Sequence, residues 1–237
     1  WKLSENRKYL TITDKTEISV LKLVGTYVLH FYQIKQIKRI RLVKRADGYY
    51  AQFCIEQERL EDCTPTNNAI GIDVGLESFY TDSNGNKVKP PKFFRKSEKQ
   101  LKRLQRRLSR KRVKVKKGEK QSNNYFKNQT KLARKHLKVS RQRKDFAVKQ
   151  ARCVMKSNDF VVIENLNVKG LVKNRKHSKS ISDVGWTIFK TWLKHFAVIF
   201  NRELIEVPPN YTSQDCSKCG KRVKKELKDR VHICECG

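Results

Sequence analysis

Hydrophobic and polar residues alternate along the first quarter of the chain, and the rhythm then changes. Tyr9-Leu10-Thr11-Ile12, Ile18 to Leu23, Ile37 to Val43 and Tyr49 to Ile55 set an apolar residue at about every second position. A period of two marks strands with one wet face. Asp47-Gly48 between the last two segments is a hairpin signal. Residues 1–64 are therefore predicted to be all-β, and Thr64-Pro65-Thr66-Asn67-Asn68 reads as a linker.

Beyond the linker two short apolar runs, Ala69-Ile70-Gly71-Ile72 and Phe160-Val161-Val162-Ile163, predict core strands, ended by Asp73 and Glu164. Phe79-Tyr80-Thr81, a turn over 82–86 and Lys87-Val88 predict a hairpin. After Pro90-Pro91 the period lengthens. Leu101, Leu104 and Leu108 stripe a first helix, broken at Gly118 and Ser122-Asn123-Asn124. In a second helix Tyr125, Leu132, Val139, Phe146 and Cys153 recur every seven residues, a thin seam that leaves most of the surface open. A basic loop is predicted from Lys169 to Lys179. A third helix follows from about Asp183 to Asn201, with Trp186, Phe189, Trp192, Leu193, Phe196, Ile199 and Phe200 as core, and then a strand Leu204–Val207 halted by Pro208-Pro209. The order β-β-β-α-β-α-β, with acids ending its first and fourth strands, matches an α/β fold of the RNase H-like kind.

Charge changes the picture. The 237 residues carry 55 Lys and Arg against 23 acids, a formal charge of +32 and a pI near 10.1. Self-repulsion on that scale calls for a polyanionic partner, and nucleic acid fits because phosphate neutralisation releases counterions. Between Arg95 and Gln150 there are 23 basic residues and 3 acids, so the two long helices are more than ordinary solvated faces, which mix signs. Lys38, Arg39 and Arg41 add charge to the early sheet, where a phosphate contact and a plain wet face are equally open readings. A membrane is a poor partner: no apolar stretch approaches the roughly 20 residues of a span. No secretory segment opens the chain, and the start at Trp1 without Met reads as a fragment or a processed piece.

Of seven cysteines, four crowd the last 22 residues as Cys216-x2-Cys219-x14-Cys234-x-Cys236. Two close pairs across a hairpin-sized insert suit tetrahedral Zn²⁺ in a structural ribbon and leave no open catalytic position. Lys221, Arg222, Lys224, Lys225, Lys228 and Arg230 in the insert are candidates to face phosphate. Cys54, Cys63 and Cys153 read as small buried hydrophobes. The acids at the two strand ends are different in kind. A lone buried carboxylate is costly without a cation, so Asp73 and Glu164 together suggest a hard divalent metal, and in so basic a chain two-metal phosphodiester hydrolysis.

Several segments resemble one family: Gly71-Ile72-Asp73-Val74-Gly75, Gln105-Arg106-Arg107-Leu108-Ser109-Arg110-Lys111, Arg141-Gln142-Arg143-Lys144-Asp145-Phe146, Val162-Ile163-Glu164-Asn165-Leu166-Asn167-Val168, Gly185-Trp186, and Tyr211 to Gly220. They are similar to TnpB, the transposon-borne, RuvC-like RNA-guided DNA endonucleases related to type V CRISPR effectors. The likeness runs from about residue 69 to the end, while 1–64 look like the later part of that family's β-barrel wedge domain. It implies a wedge remnant over 1–64, a RuvC nuclease over 69–209 with a basic helical segment 95–156, and a zinc ribbon over 210–237.

By the same resemblance Asp73 and Glu164 are the first two catalytic ligands for two Mg²⁺. Arg103, Arg106, Arg107, Arg110, Lys111, Arg141, Arg143 and Lys144 line the path of guide RNA and target DNA, where base pairing reads sequence and protein grips backbone. It implies a bacterial cytoplasmic protein associated with the nucleoid. Family members carry a third catalytic Asp shortly after the ribbon. This chain stops at Cys236-Gly237, and Asp229 lies inside the insert, so a copy clipped at both ends with weakened cleavage is expected. The family's helical recognition insert is not visible. Alternatives left open are a catalytically inactive guided DNA binder acting by occupancy, a decayed transposon protein, a ribosome-type RNA-binding zinc ribbon, and a DNA-joining transposase.

Overall fold

The computed structural model describes residues 1–13, 19–114, 119–212, 214–216, 218–224 and 233–236. Gly118, Lys225, Lys228, Asp229, Arg230 and Gly237, and Ile18 at the head of its expected strand, lie outside them. The chain divides into two compact units, residues 1–59 with 101–138 and residues 60–100 with 139–237.

In the first unit β1 (Lys2–Leu3), β2 (Tyr9–Thr11) and β3 (Val20–Lys22) make a small antiparallel sheet. A separate ribbon pairs β4 (Ile37–Arg45) with β5 (Gly48–Ile55), turning through Ala46-Asp47. The expected strands form, but they are split between two sheets, and burial along β4 does not alternate. Ile37 is buried, Ile40 and Val43 are half-buried, and Leu42 is exposed, with a register shift between Ile37 and Arg39. The segment between them is helical rather than extended, in 3₁₀ turns at Tyr27–Phe31 and Ile34–Gln36. The Tyr50 hydroxyl donates to Asp47 Oδ2 (2.9 Å), which fixes the ribbon's loop.

The second unit holds a five-stranded sheet in the order β10-β9-β6-β7-β8. Its strands are β6 (Ala69–Asp73), β7 (Tyr80–Asp82), β8 (Lys87–Val88), β9 (Phe160–Glu164) and β10 (Glu203–Val207). β6, β9 and β10 run parallel, and β7 and β8 run antiparallel beside them. Parallel neighbours need a crossover, and helices supply it. α1 (Phe93–Lys111) and α2 (Asn123–Ser157), which contribute residues to both units, lie between β8 and β9. α3 (Val168–Val172), α4 (Ser178–Val184) and α5 (Trp186–Phe200) lie between β9 and β10.

Alternate residues of β6 and β9, Ile72, Val161 and Ile163, meet the buried faces of α2 and α5 in one core. Phe79 and Phe189 are fully buried at its centre, their rings 4.9 Å apart, and Phe146 lies 4.9 Å from Phe79. Of the aromatics expected as core on the third helix, Trp186, Phe189, Phe196 and Phe200 are buried, and Trp192 is half-buried against them. Asp159 secures the sheet's entrance: it accepts the amides of Thr66 and Asn67 and pairs with the buried Arg202 guanidinium.

Three local expectations are corrected. The predicted basic loop 169–179 is helical in α3 and at the start of α4, because Asn167 accepts from the Gly170 amide and starts a turn there. The third helix begins at Trp186 rather than near Asp183: Gly185 takes φ +79, a conformation that breaks the chain between α4 and α5. Asp183 instead ends α4, buried, with its carboxylate accepting the Phe94 and Arg95 amides at the start of α1. Finally, Cys153 is exposed and Cys54 and Cys63 are only half-buried. A strict seven-residue repeat drifts by about 20° per heptad on a straight helix. By the end of α2 the buried face has passed to Ala147, Ala151, Val154 and Met155.

Candidate functional site

The three parallel strands end at one edge of the sheet. Ile72 is in register with Ile163, so the next residues, Asp73 and Glu164, end neighbouring strands side by side, and Glu164 is in register with Val207 on the far side. Pairing runs one step past Glu164, where the Asn165 amide donates to the Val207 carbonyl (2.8 Å). The carboxyl ends of parallel strands are where α/β sheets place their ligands. Here Asp73 and Glu164 line an open groove of about 1210 Å³. The expectation of two buried acids is corrected: Asp73 is exposed and Glu164 half-buried. Both belong to the sheet face turned away from the helices, since Ile72 and Ile163 occupy the other face. The case for a cation therefore rests on adjacency and oxygen-donor chemistry rather than on the cost of burial. Two carboxylates fit a hard divalent ion such as Mg²⁺.

Two residues passed over in the sequence join them. The Thr212 hydroxyl donates to Glu164 Oε1 (2.6 Å) and orients that carboxylate. His177, just before α4, lines the same groove. Neither carries a spacing signal. Thr212 lies inside the Tyr211–Gly220 segment, where the cysteines draw the eye, and a single His in a basic stretch is inconspicuous. Asp82, also in the groove, is occupied locally: the Asn86 side chain first, then the Asn86 and Asn84 amides, donate to its carboxylate and hold its pKa below the ordinary value.

The four cysteines converge. The Sγ atoms of Cys216, Cys219, Cys234 and Cys236 all lie within 4.8 Å of one another, with Cys216–Cys236 at 3.5 Å and Cys219–Cys234 at 3.4 Å. Tetrahedral zinc with Zn–S near 2.3 Å sets its sulfurs roughly 3.8 Å apart, so the set fits the ion. The short C-x-C spacing of the second pair does not spoil the convergence. The amides of Cys219 and Lys218 stabilise the Cys216 thiolate and lower its pKa to about 6. The hydrogen bond with Cys216 is the main reason that Cys236 is pushed up to about 12. A one-residue bridge of Asp215 with Arg222 shapes the knuckle, and the Arg222 guanidinium lies 3.5 Å over the Tyr211 ring. Among the described residues, no other set of three or more His, Cys, Asp or Glu side chains converges in this way.

The basic candidates divide. Arg103, Arg106, Arg107, Arg110 and Lys111 are exposed on α1, whose apolar stripe is buried at Leu101 and half-buried at Leu104 and Leu108. On α2, Arg141 is exposed, whereas Arg143 is half-buried and donates to the Ser182 carbonyl, so it ties α2 to α4. Lys144 stands 5.5 Å from the centre of the Trp192 ring. Among the described residues no helix is long and apolar enough to cross a membrane.

The assembled features are a mixed α/β domain with an acid pair at its strand ends, a four-thiol cluster, and helices with an exposed positive face. Residues 52–175 match the OrfB_IS605 family, described as probable transposase, and residues 186–237 match the Cas12f1-like TNB domain. The chain belongs to the OrfB_IS605 transposase family.

Two relatives are similar over most of this chain. A protein of Streptomyces pristinaespiralis named "Putative RNA-guided DNA endonuclease" is 34% identical over 195 residues, 81% of this chain and 46% of its own. Another, of Escherichia coli K12, named "Putative RNA-guided DNA endonuclease InsQ", is 30% identical over 204 residues, 80% of this chain and 49% of its own. The chain thus spans about half the length of these relatives. A cryo-EM structure of a CRISPR-Cas12f ternary complex aligns over 90% of this chain and 43% of that one, at 21% identity and TM-score 0.41.

Proposed function

We propose that this chain carries the DNA-cutting part of a transposon-encoded, RNA-guided DNA endonuclease. In this reading the five-stranded sheet is an RNase H-like (RuvC) domain over about residues 69–209. The segment 210–237 is a zinc ribbon, and 1–64 belong to a wedge domain. The observation that carries the reading is the pair Asp73 and Glu164 at the ends of adjacent parallel strands, lining one open groove. The family match over 52–175 and the names of the two relatives support it.

Asp73 and Glu164 would hold Mg²⁺, which when bound supplies a more acidic water and charge neutralisation at the leaving oxygen. The protein's own residues provide the frame. Thr212 holds Glu164 in one orientation through its hydroxyl. The exposed arginines of α1, with Arg141 and Lys144 of α2, grip guide and target backbones without reading their sequence. The four cysteines hold zinc structurally.

The test is metal binding and cleavage measured together. Mn²⁺ titration followed by electron paramagnetic resonance is expected to find a site that Asp73→Ala or Glu164→Ala abolishes. Mg²⁺-dependent cutting of DNA should disappear with it. Cutting that survives either substitution refutes the assignment.

A further inference from the structure

The strand ends beside the acid pair are gripped from behind. Side chains along β9 and β10 alternate between two faces. Glu164 and Val207, in register, line the groove, while Ile163 and Glu206, in register one residue earlier, face α5. Asn165, the first residue past β9, falls on the α5 face by the same alternation, and its amide carries the ladder one step further to the Val207 carbonyl (2.8 Å). There α5 supplies Lys190. Its Nζ donates to Asn165 Oδ1 (2.6 Å) and pairs with Glu206 Oε2 (2.7 Å), so one ammonium joins the end of β9 to the end of β10. An ammonium carries three donors, which allows both bonds at once. Exposed ion pairs contribute little, but the Lys190 and Glu206 side chains are only 24% and 20% exposed. Lys194 pairs with the other oxygen of Glu206 and makes no bond to Asn165 among the described residues.

We propose that Lys190 is a positioning residue for the acid pair: by clasping Asn165 and Glu206 it fixes the backbone at Glu164 and turns that carboxylate to the groove beside Asp73. The inference rests on the nuclease reading above. Neighbouring side chains of an extended chain face opposite ways, so pinning Asn165 to the α5 face keeps Glu164 on the other. Without the clasp, the single ladder bond at Asn165 holds the strand end alone, and the Glu164 carboxylate loses its fixed aim. Thr212 holds the carboxylate itself from the groove side, whereas Lys190 acts on the main chain behind it. Groups that orient a metal ligand set its affinity without touching the ion.

The experiment measures Mn²⁺ affinity of the whole chain by electron paramagnetic resonance and does not depend on cutting. Lys190→Met keeps the side chain's length and removes its ammonium. Loss of a positive charge by itself favours a bound cation, so a charge effect and a positioning effect differ in sign. Positioning predicts that Lys190→Met weakens Mn²⁺ binding about fivefold, the worth of one net hydrogen bond. That is less than the roughly 10–100-fold expected for a group bonded directly to a ligand. Asn165→Ala should weaken binding equally and the double variant no further, because both break one tie. Lys190→Arg should restore most of the affinity. Lys194→Met makes the same charge change without touching Asn165 and should bind Mn²⁺ at least as tightly as the parent. In the metal-free chain, Lys190→Met should quicken amide exchange at Asn165 and leave Val161 and Ile163 unchanged. Parent-like or tighter binding in both Lys190→Met and Asn165→Ala overturns the clasp, as does equal weakening by Lys194→Met. If Asp73→Ala still abolishes the site, the nuclease reading stands. A parent chain with no Mn²⁺ site that depends on Asp73 overturns both.

Discussion

Asp183 offers a sharp test of how the start of α1 is held. Its carboxylate is 5% exposed and accepts two amides at the start of α1, Phe94 N–H on Oδ1 (2.8 Å) and Arg95 N–H on Oδ2 (3.1 Å). No acid stands in the first turn of α1 itself, so the cap comes from another helix. Asp183→Ala removes a cap worth about 1 kcal/mol and strips two amides of their partner, at about 1–3 kcal/mol for an unsatisfied buried group. The lost attraction between a carboxylate and the helix N-terminus adds to this by about 0.3–1 kcal/mol.

These contributions overlap, so the expected loss is about 2–4 kcal/mol. Asp183→Asn keeps one acceptor and should lose only about 1 kcal/mol. With a urea slope of about 2–3 kcal/mol per M, the alanine variant's midpoint falls by about 1 M. The neighbouring ties from α4 to α1, Lys179–Glu98 (3.2 Å) and Arg95–Ser180 (3.1 Å), remain, so hydrogen exchange should quicken first at Phe94 and Arg95. An alanine variant within 0.5 kcal/mol of the parent, the usual range for an inconsequential surface change, with unchanged exchange at those amides, refutes the cap.

Three further outcomes are expected. Mass spectrometry of metals should find one zinc per chain, lost in Cys216→Ser, and zinc removal should weaken Mn²⁺ binding because Thr212, on the approach to Cys216, orients Glu164. Thr212→Val should reproduce that weakening with zinc still bound. The acid limb of stability should depend on Asp159, whose carboxyl is held below its ordinary 3.8 by the Thr66 amide foremost, against an opposing penalty from burial. A depressed folded pKa means that the unfolded chain takes up the proton more readily, so this contribution is complete above about pH 3.8 and fades as pH falls through the folded value. Asp159→Asn should flatten that limb in an acid titration followed by circular dichroism. Each of Arg106→Ala and Arg107→Ala should reduce the salt slope of DNA binding by about 0.7–0.9; Arg143→Ala, which breaks the tie to Ser182, should instead lower stability.

Much of this was legible in the residue pattern for plain reasons. Short apolar runs of four residues, too short for a helix and bounded by polar residues, read as strands, so β6, β9 and the positions of Asp73 and Glu164 at their ends could be read directly. The cysteine spacing implied convergence because a thiol cluster is local in the chain. The exposure of Arg103 to Lys111 followed from a stripe three leucines wide. Local signals misled where a register had to be carried too far, as along α2 to Cys153, or where one glycine divides two helices, as at Gly185.

Tertiary structure alone decided the rest. Parallel pairing set Asp73 beside Glu164, although 91 positions separate their numbers in the chain (164 less 73). It brought Thr212 to Glu164, sent Asp183 to cap a helix some ninety residues earlier, and tied Arg143 to the Ser182 carbonyl. It also left the Trp186 indole N–H buried with no hydrogen-bond partner among the described residues. Periodicity reports which face of an element is apolar. Which faces meet, and which polar groups then find or lack a partner, depends on long-range packing that no local pattern encodes.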